Sequence, residues 1–393
     1  MKILLLFTLL ISNIILGQSF VPNAPELNLK SYILIDPTTN TVIAESNSDG
    51  LIEPASMTKV MTAYVVADQI ENNLINIDDE VLVSEKAWRM GGSKMFIEVG
   101  KKVSILDLLK GIIIQSGNDA AVAIAEYVGG TEDGFVDLMN SYAASIGMNN
   151  TTFMNNTTFM NSTGLPDANH LTTASDLALL TSNFITKYPD IYALFKEKEF
   201  EYGGVTANKM NRNRLLWIDE TSDGVKTGHT SSAGWCLIGS AKRPMINGEN
   251  MRLITVVAGS DSQKNSFADT QRLLEYGFRY FATQKYFDVG KEYANAKVWG
   301  GKSNKIGLGV ESDIYITLPR TKFDGVKVNY VVKNNVQAPI SKGDIIGSLE
   351  LTSDNSTILI SDLVALEDVE AKGFFGRLWS RFVLWVMGLF GMT

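Results

Sequence analysis

Cysteine and histidine are scarce in this chain, which has one cysteine, Cys236, and two histidines, His170 and His229, among 393 residues. A single cysteine cannot close an internal disulfide, so the fold must be stabilised by its packed core. These numbers also argue against an ordinary zinc site and against a Ser-His-Asp triad. We therefore predict a protein with no metal and no cofactor, in which Cys236 is a small buried residue.

Positive charge is also in deficit. The chain has 35 lysines and arginines against 43 aspartates and glutamates, a formal net charge of −8. This balance argues against nucleic acid as a partner, because nucleic-acid-binding domains carry clustered positive charge. Hydrophobic residues make up 45% of the chain and charged residues 20%, which is typical of a globular protein. The length is sufficient for two domains with additional segments.

The N-terminal apolar run, from Ile3 to about Leu16, is shorter than the ~20 residues that span a membrane. It follows one positive charge, Lys2, and ends beside the small residue Gly17, as secretory signal peptides do. We therefore predict that residues 1–17 are a signal peptide cleaved near Gly17. The alternative is an N-terminal membrane anchor. A lipoprotein signal is excluded, because no cysteine follows the run.

Residues 25–282 have the mixed pattern of an α/β domain. Two short strand-like runs, Ser31–Asp36 and Thr41–Glu45, flank a turn-forming segment and predict a hairpin. Helical periodicity and further strand-like runs follow along the chain. The predicted helices are Thr58–Ile70, Ile105–Ile114, Asp119–Tyr127 and Thr270–Phe281, and the predicted strands are Gly234–Ser240 and Arg252–Ala258.

Residues 286–366 have a different pattern and predict a small all-β domain. Ile314, Ile316 and Leu318 alternate with polar residues, and clusters of turn-forming residues separate this run from others like it. We expect this domain to act as a spacer or as a surface for a partner.

Residues 369–393 are predicted to form an amphipathic helix. Arg377 and Arg381 would lie together on its flank, where they can meet anionic lipid headgroups. The uncharged run after Arg381 is about 12 residues, short of the ~20 needed to span a bilayer. We therefore predict that the tail lies on a membrane surface, and the alternative is a helix buried against the β domain. The apolar face would carry Phe375, Leu378, Phe382, Trp385 and Leu389.

The hexapeptide Asn-Asn-Thr-Thr-Phe-Met occurs twice in tandem, at Asn149–Met154 and Asn155–Met160. A repeat of six residues is too short for a solenoid unit. We interpret it as a local duplication that lengthens a surface loop, because loops accept insertions at a low cost in free energy.

The first motif with chemical content is Ser56-Met57-Thr58-Lys59. If Ser56 begins a helix, Lys59 lies one turn later on the same face. A lysine buried near other cations can be neutral near pH 7, because desolvation disfavours the charged amine. The neutral amine can then take the proton of Ser56, so we predict Ser56 as nucleophile and Lys59 as general base. In isolation, the same pattern more often means a helix-capping serine followed by a surface lysine.

A second motif, Ser116-Gly117-Asn118, lies between two helical runs. We predict that Ser116 relays a proton to the leaving amine and that Asn118 holds Lys59 and an amide of the substrate. By itself such a segment is equally well explained as a helix–helix loop.

The third motif, Lys226-Thr227-Gly228-His229, precedes a predicted strand. On a sheet-edge strand next to the nucleophile, Lys226 and Thr227 would bind a substrate carboxylate, and Gly228 would permit close approach of the backbone. The backbone N–H groups of Ser56 and His229 are predicted to form an oxyanion hole. The ring of His229 is predicted to be a structural neighbour and not a base.

Together the three motifs are the set found in penicillin-binding proteins and class A β-lactamases. The chain resembles the penicillin-binding D-alanyl-D-alanine carboxypeptidases, specifically the type of low molecular mass with a C-terminal β domain. The resemblance runs from about residue 30 to the C-terminus. The segments that carry it are Glu53–Lys59, Ile114–Ala120, Asn211–Trp217, Asp223–His229 and Gly373–Trp379.

The resemblance implies a transpeptidase/β-lactamase-like fold of the α/β (α+β) class and removal of the terminal D-alanine from peptidoglycan stem pentapeptides. Ser56 would carry the acyl group, and β-lactam antibiotics would acylate the same serine. The resemblance also implies a role in cell-wall remodelling and cell shape. The protein would be periplasmic and attached peripherally to the outer face of the inner membrane.

Three features depart from the pattern of this family. The duplication is unexpected, Thr163 stands where some relatives carry histidine, and relatives usually carry an arginine near the position of Ser266. The missing arginine would leave recognition of the carboxylate more dependent on Lys226 and Thr227.

Two alternatives to a carboxypeptidase stay open. A class A β-lactamase needs a glutamate on the loop near the site, whereas residues 164–176 offer Asp167 and Asp176 but no glutamate. The other alternative is a penicillin-binding wall scaffold with little catalysis.

Overall fold

The structure, a computed structural model, describes residues 21–150, 155–245, 248–354 and 356–389. The predicted signal peptide lies outside these residues, as do positions 151–154 of the duplicated hexapeptide. The helices are α1 (Lys59–Glu71), α2 (Glu85–Arg89), α3 (Ile105–Lys110), α4 (Asn118–Gly129), α5 (Glu132–Ser145), α6 (Ala174–Lys187), α7 (Pro189–Tyr192), α8 (Leu215–Ile218), α9 (Gln263–Tyr280) and α10 (Phe374–Leu389).

The strands alternate with these helices in the first part of the chain and dominate the later part. They are β1 (Ser31–Asp36), β2 (Thr41–Ser46), β3 (Glu80–Leu82), β4 (Lys102–Ser104), β5 (Asn149–Asn150), β6 (Asn155–Asn156), β7 (Ser222–Thr230), β8 (Gly234–Pro244), β9 (Asn250–Ser260), β10 (Phe281–Phe287), β11 (Ala294–Trp299), β12 (Lys305–Gly309), β13 (Ile314–Pro319), β14 (Lys327–Val332), β15 (Val336–Gln337), β16 (Ile345–Ser353) and β17 (Ser356–Ala365).

A five-stranded antiparallel sheet with the order β2-β1-β9-β8-β7 organises the first unit. All six residues of β1 are buried, as expected for a strand covered on both faces. Alternate side chains enter different layers. Ile33 and Ile35 belong to the same core as α1, whereas Leu34 approaches Gly277 of α9. Because β7 is an edge strand, its outer side is available to build a site.

Helix α1 lies at the centre of the larger layer, and every residue from Lys59 to Ala67 is buried. A helix that is apolar nearly all round must be surrounded by other elements, and α4, α5 and α6 pack against it. Lys59 is therefore a charged residue type inserted into a helix that is otherwise part of the core.

Three helices differ by several residues from their predicted limits. One is α10, which begins at Phe374 and not at the predicted residue 369, because Val369 pairs with Ile340. Helix α9 begins at Gln263, seven residues before the predicted start at Thr270, because Ser262 caps it by accepting from the N–H of Asn265. The predicted helix Ile105–Ile114 is α-helical only to Lys110 and continues as a π-helical turn over Gly111–Gln115. Such turns add a residue within a helix and are frequent at functional sites.

Residues 24–289 together with 312–318 form one compact unit, and residues 290–311 with 319–389 form another. The assignment of residues 312–318 differs from the predicted single division near residue 284. Strand β13 pairs with β10, and Thr317 donates a hydrogen bond to the buried carboxylate of Asp36 at 2.8 Å. A buried carboxylate requires such donors, so β13 packs with the first unit although it follows part of the second.

The second unit has a six-stranded sheet with the order β14-β16-β17-β12-β11-β15, followed by α10. The chain therefore has an α/β domain, an all-β domain and a terminal helix, which confirms the predicted fold class. Large apolar side chains of α10 are exposed to solvent, with 83% exposure for Phe375 and 68% for Trp379. None of the helices in the described ranges is long and apolar enough to cross a membrane.

The short strands β5 and β6 pair antiparallel and include the first two residues of each hexapeptide copy. This pairing agrees with the interpretation that the duplication extends a loop locally. The second copy ends at Met160, three residues before Thr163, whose carbonyl oxygen reaches Lys59 in the candidate site.

Candidate active site

The amine of Lys59 is the centre of the site. Ser56 lies in a 3₁₀ turn, Ala55–Thr58, that leads into α1, and Lys59 is the first residue of the helix. The Lys59 side chain is 1% exposed. Its Nζ has three hydrogen-bond partners, namely Ser56 Oγ at 3.2 Å, Asn118 Oδ1 at 2.7 Å and the carbonyl oxygen of Thr163 at 2.5 Å. The structure thus brings the predicted nucleophile and base into contact.

Burial lowers the pKa of Lys59 to about 7, with a further lowering by the positive charge of Arg212 and an opposing effect of Asp119. At neutral pH a large fraction of the amine is therefore unprotonated, because each pH unit changes the ratio of the two forms tenfold. An unprotonated amine 3.2 Å from a hydroxyl can accept its proton.

The second motif is positioned by an unusual backbone. The π-helical turn ends at Ser116, whose φ of +61° lies in the left-handed region. Non-glycine residues adopt this region at a cost, typically where a functional group must be placed. Asn118 begins α4 and is held by two hydrogen bonds, from its N–H to the carbonyl of Ser93 and from Nδ2 to that of Gly91, both at 2.7 Å. Its Oδ1 is thereby directed to Lys59.

The third motif lies on the edge strand β7. Lys226 is 2% exposed, and its Nζ donates to Ser116 Oγ and to the carbonyl oxygen of Thr227, each at 3.0 Å. Burial lowers the pKa of Lys226 well below its ordinary value, and the nearby charges of Lys59 and Arg212 lower it further. Lys226 is thus a direct hydrogen-bond partner of the predicted relay residue.

Two glycines allow the backbone around Ser56 to approach closely. A Cβ on Gly228 would lie 3.0 Å from the carbonyl oxygen of Pro54, so the predicted close approach of β7 to the serine turn is present. A Cβ on Gly164, whose φ is +82°, would lie 1.8 Å from the carbonyl oxygen of Ala55. No other residue type fits at position 164 without moving the turn that carries Ser56.

A cavity of about 240 Å³ opens beside Ser56. Arg212 lines it together with Thr227, although reasoning from the sequence did not assign Arg212 to the site. The sequence did contain a pointer to Arg212, because the segment Asn211–Trp217 is one of those that carry the family resemblance. Two buried asparagines hold this turn, since Asn211 Oδ1 accepts from the N–H of Asn213 and Asn213 Oδ1 accepts from that of Leu215. The other lining residues are Ser56, Ser93, Ser116, Gly228, His229, Trp235 and Gln263.

The remaining predicted residues lie around this cavity in different roles. The His229 ring is exposed and stacks on Trp235 with ring centroids 4.0 Å apart, in keeping with a structural neighbour. The oxyanion hole at the N–H groups of Ser56 and His229 stays a prediction. Ser266 is buried, and its hydroxyl donates to the carbonyl of Gln263. The residue of α9 that lines the cavity is Gln263 and not Ser266.

Neither Asp167, in the loop after Thr163, nor Asp176, in the first turn of α6, lines the cavity. The Asp176 carboxylate accepts from Thr157 Oγ1 at 2.5 Å, while the backbone N–H of Asp176 donates to the capping Thr173 Oγ1. Asp167 accepts from the N–H of Asn169. Within the described ranges, the cavity lining includes no carboxylate, and no cluster of histidine, cysteine and acidic residues could hold a metal ion.

Comparison with known families and proteins gives matches over both units. A family model described as D-alanyl-D-alanine carboxypeptidase matches residues 18–262, and one described as penicillin-binding protein 5, C-terminal domain, matches residues 281–371. The chain is 37% identical over 370 residues to D-alanyl-D-alanine carboxypeptidase DacA of Escherichia coli strain K12. The aligned region covers 92% of this chain and 88% of that protein.

The identity and coverage are similar for a relative from Haemophilus influenzae. The chain is 38% identical over 379 residues to D-alanyl-D-alanine carboxypeptidase DacA of Haemophilus influenzae, covering 95% of this chain and 93% of that protein. The crystal structure of penicillin binding protein 5 from Haemophilus influenzae resembles this structure with a TM-score of 0.82 at 36% identity, covering 89% of this chain and 99% of that one.

Gly164→Ala is expected to destabilise the protein more than Gly100→Ala. Both glycines have a positive φ, +82° and +75°, but only position 164 lacks space for a Cβ. Each substitution should lower the free energy of unfolding by ~1 kcal/mol through backbone strain. At position 164 the clash with Ala55 should lower it by a further ~2 kcal/mol or more. Urea unfolding of both variants measures the difference. Equal decreases in the free energy of unfolding would show that the loop at residue 164 can move away from the serine turn.

Proposed function

The chain belongs to the D-alanyl-D-alanine carboxypeptidase family, and we propose that it removes the terminal D-alanine from peptidoglycan stem pentapeptides by way of an acyl-enzyme on Ser56. The observation that carries this proposal is the contact between Ser56 Oγ and the buried amine of Lys59 at 3.2 Å. The family supplies the reaction, and the geometry supplies the assignment of roles to residues.

In the first step, the neutral amine of Lys59 takes the proton of Ser56, and Oγ attacks the carbonyl carbon of the penultimate D-alanine. The C–N bond to the terminal D-alanine then breaks, and its nitrogen must gain a proton to leave as an amine. Ser116 can relay to it the proton that Lys59 took from Ser56, which returns Lys59 to the neutral form. Its Oγ lies in the cavity and receives a hydrogen bond from Lys226. Water completes the cycle by hydrolysing the ester on Ser56.

Recognition of the substrate's terminal carboxylate falls to Arg212 and Thr227, which line the cavity and offer it a guanidinium group and a hydroxyl group. This assignment revises the prediction from the sequence, which gave the role to Lys226 and Thr227. The support is that Lys226 is buried and occupied by Ser116 and a backbone carbonyl, whereas Arg212 borders the open space. An arginine can bind a carboxylate through two parallel hydrogen bonds.

A β-lactam presents its carbonyl and carboxylate to the same groups, so we propose that it acylates Ser56. A β-lactamase would in addition need a group that activates water for rapid deacylation. The cavity lining at Ser56 includes no carboxylate within the described part of the chain, which favours the carboxypeptidase over a glutamate-dependent β-lactamase.

The experiment that tests the function mixes purified protein with diacetyl-Lys-D-Ala-D-Ala and, separately, with a fluorescent penicillin. We expect release of D-alanine, slow turnover of the penicillin, and an adduct on the peptide that contains Ser56. Ser56→Ala should abolish all three. Penicillin turnover much faster than D-alanine release would favour the β-lactamase, and a stable adduct without D-alanine release would favour the scaffold.

The rate of Ser56 acylation should rise with pH and level off above about pH 8. Only unprotonated Lys59 can accept the proton, and its pKa is about 7, so the rate at pH 5 should be ~100-fold below the plateau. His170, behind the site, has its pKa lowered to about 4 by burial and stays neutral over this range. Stopped-flow measurement with a fluorescent penicillin gives the profile. A rate independent of pH between 5 and 8 would contradict the role of Lys59.

Arg212→Gln should raise KM for diacetyl-Lys-D-Ala-D-Ala by ~10-fold to 100-fold, since a hydrogen bond to a charged group contributes ~1.5–3 kcal/mol. A substrate ending in an amide should be affected far less. Arg214→Gln is the matched control, because Arg214 stacks near Trp217 and does not line the cavity at Ser56. Equal effects of Arg212→Gln on both substrates would remove Arg212 from carboxylate recognition.

For localisation, we propose that the mature protein is periplasmic and that α10 attaches it to the surface of the inner membrane. A helix of 16 residues is ~24 Å long, shorter than the ~30 Å hydrocarbon core. Phe375, Trp379 and Trp385 are each more than 60% exposed, and Arg377 is exposed beside them. Aromatic and cationic side chains together suit the interface of an anionic bilayer. The all-β domain would then act as a spacer or a partner surface.

A protein lacking residues 373–393 should lose membrane binding and keep its activity. The cut follows Lys372 because Val369 is buried and pairs with Ile340. Co-sedimentation with vesicles that contain phosphatidylglycerol should retain the full chain and release the truncated one.

A double variant, Phe375→Ser with Trp379→Ser, should also be released in this assay. Trp217→Ser is the matched control, since Trp217 is an exposed tryptophan of the other unit. Retention of the truncated protein on vesicles would contradict an anchor at α10.

A further inference from the structure

A buried chain of hydrogen bonds connects Glu132, in the first turn of α5, to the partners of Lys59. Glu132 is 9% exposed. Its Oε1 accepts from both the N–H and the Oγ of Ser162, at 3.2 and 2.9 Å. The carbonyl of Ser162 accepts from Thr62 Oγ1 at 2.7 Å, and the next carbonyl, that of Thr163, accepts from Lys59 Nζ at 2.5 Å. Ser162 is therefore held at its N–H by Glu132 and at its carbonyl by Thr62.

We propose that Glu132 is a positioning residue of the reaction, whose carboxylate holds Ser162 and thereby keeps the Thr163 carbonyl on the amine of Lys59. The proposal rests on the proposed role of Lys59 as general base. Thr62 lies three residues after Lys59 and so on the same face of α1. The helix and the loop are thus joined at two neighbouring carbonyls, with Glu132 as the acceptor behind them.

The need for an oxygen acceptor at position 132 follows from the burial of Ser162, which is 0% exposed. Without Glu132 its N–H and hydroxyl would both lack an acceptor, a condition that protein interiors avoid. Ser162 would then move toward water, and Thr163 would move with it. The other oxygen, Oε2, pairs with Lys86 at 2.8 Å. Lys86 is half exposed, so this ion pair contributes less to the position of the loop than the two buried hydrogen bonds.

Movement of Thr163 would admit water to Lys59. Burial is the largest cause of its lowered pKa, so hydration should raise that pKa and leave less neutral amine at pH 7. The other charged groups that act on Lys59 are Arg212 and Asp119, and Lys226 lies near enough for the charge of Lys59 to lower its pKa. None of these three residues forms a hydrogen bond or an ion pair with Glu132. These groups would stay in place when Glu132 is replaced.

Charged groups also surround Glu132 itself. Burial alone would raise the pKa of Glu132, but hydrogen bonds from Lys86 and Ser162 outweigh it, and the pKa lies below its ordinary value. Glu126 and Asp133 act on Lys86 and raise its pKa. Glu132 and Lys86 therefore stay charged at neutral pH, and a pH profile of acylation between about 6 and 9 reports the lysines of the site.

The test measures acylation of the full chain by a fluorescent penicillin from about pH 5.5 to 9.5. Glu132→Ala should move the midpoint of the profile up by about one pH unit, so that the rate falls ~5-fold at pH 7 and recovers near pH 9. Glu132→Gln keeps an oxygen acceptor for Ser162 and should stay within ~2-fold of the unmodified protein. Ser141→Ala, which removes an exposed hydroxyl from the same helix, is the control and should change nothing.

An unmoved midpoint in Glu132→Ala, or a loss by the same factor at every pH, would overturn the proposal and leave Glu132 a structural residue. If Glu132→Ala does not fold, Ser162→Ala decides the matter, since it removes one of the two donors and should move the midpoint in the same direction. A profile of the unmodified protein without a midpoint near pH 7 would instead overturn the base role of Lys59. The two failures are therefore distinguishable.

Discussion

The burial of one amine, that of Lys59, is the constraint on which the rest of the site depends. An ammonium group in a packed core is unfavourable unless it loses its proton or finds acceptors. Both occur here, because the pKa is about 7 and the acceptors come from three separate parts of the chain: the turn at Ser56, the start of α4 at Asn118 and the loop at Thr163. The fold around α1 must bring these parts together for the lysine to be tolerated at all.

The same constraint explains how one small cavity can combine the proposed base with the proposed carboxylate site. Lys59, Lys226 and Arg212 lie close enough for the charge of Arg212 to lower the pKa of both lysines. Repulsion among cations favours the neutral amine that the base requires. A substrate that brings a carboxylate reduces the same repulsion, so recognition and base strength are linked through charge and not through separate residues.

Backbone geometry places the reacting groups with little freedom. Ala55, Ser116 and Gly164 all have positive φ values, +47°, +61° and +82°, and each adjoins a group of the site. Such conformations persist only when the surrounding packing determines them. Here they are held by the buried helix α1, by the hydrogen bonds of Asn118 and by contact between Gly164 and the carbonyl of Ala55. Functional groups mounted on rigid elements keep their geometry through the reaction.

The sequence by itself determined the candidate reactive side chains and their order, because side-chain chemistry is a local property. Periodicity is local too, and it determined the β1–β2 hairpin, the amphipathic tail and the division into α/β and all-β parts. It could not locate Arg212 in the cavity, the Thr163 carbonyl on Lys59 or Glu132 behind Ser162. The contacts Lys59–Thr163 and Glu132–Ser162 join residues 104 and 30 positions apart, and one of the acceptors is a backbone carbonyl that every residue type carries. Only the tertiary structure decided which of these groups meet, since their meeting depends on how helices and loops pack and not on any pattern along the chain.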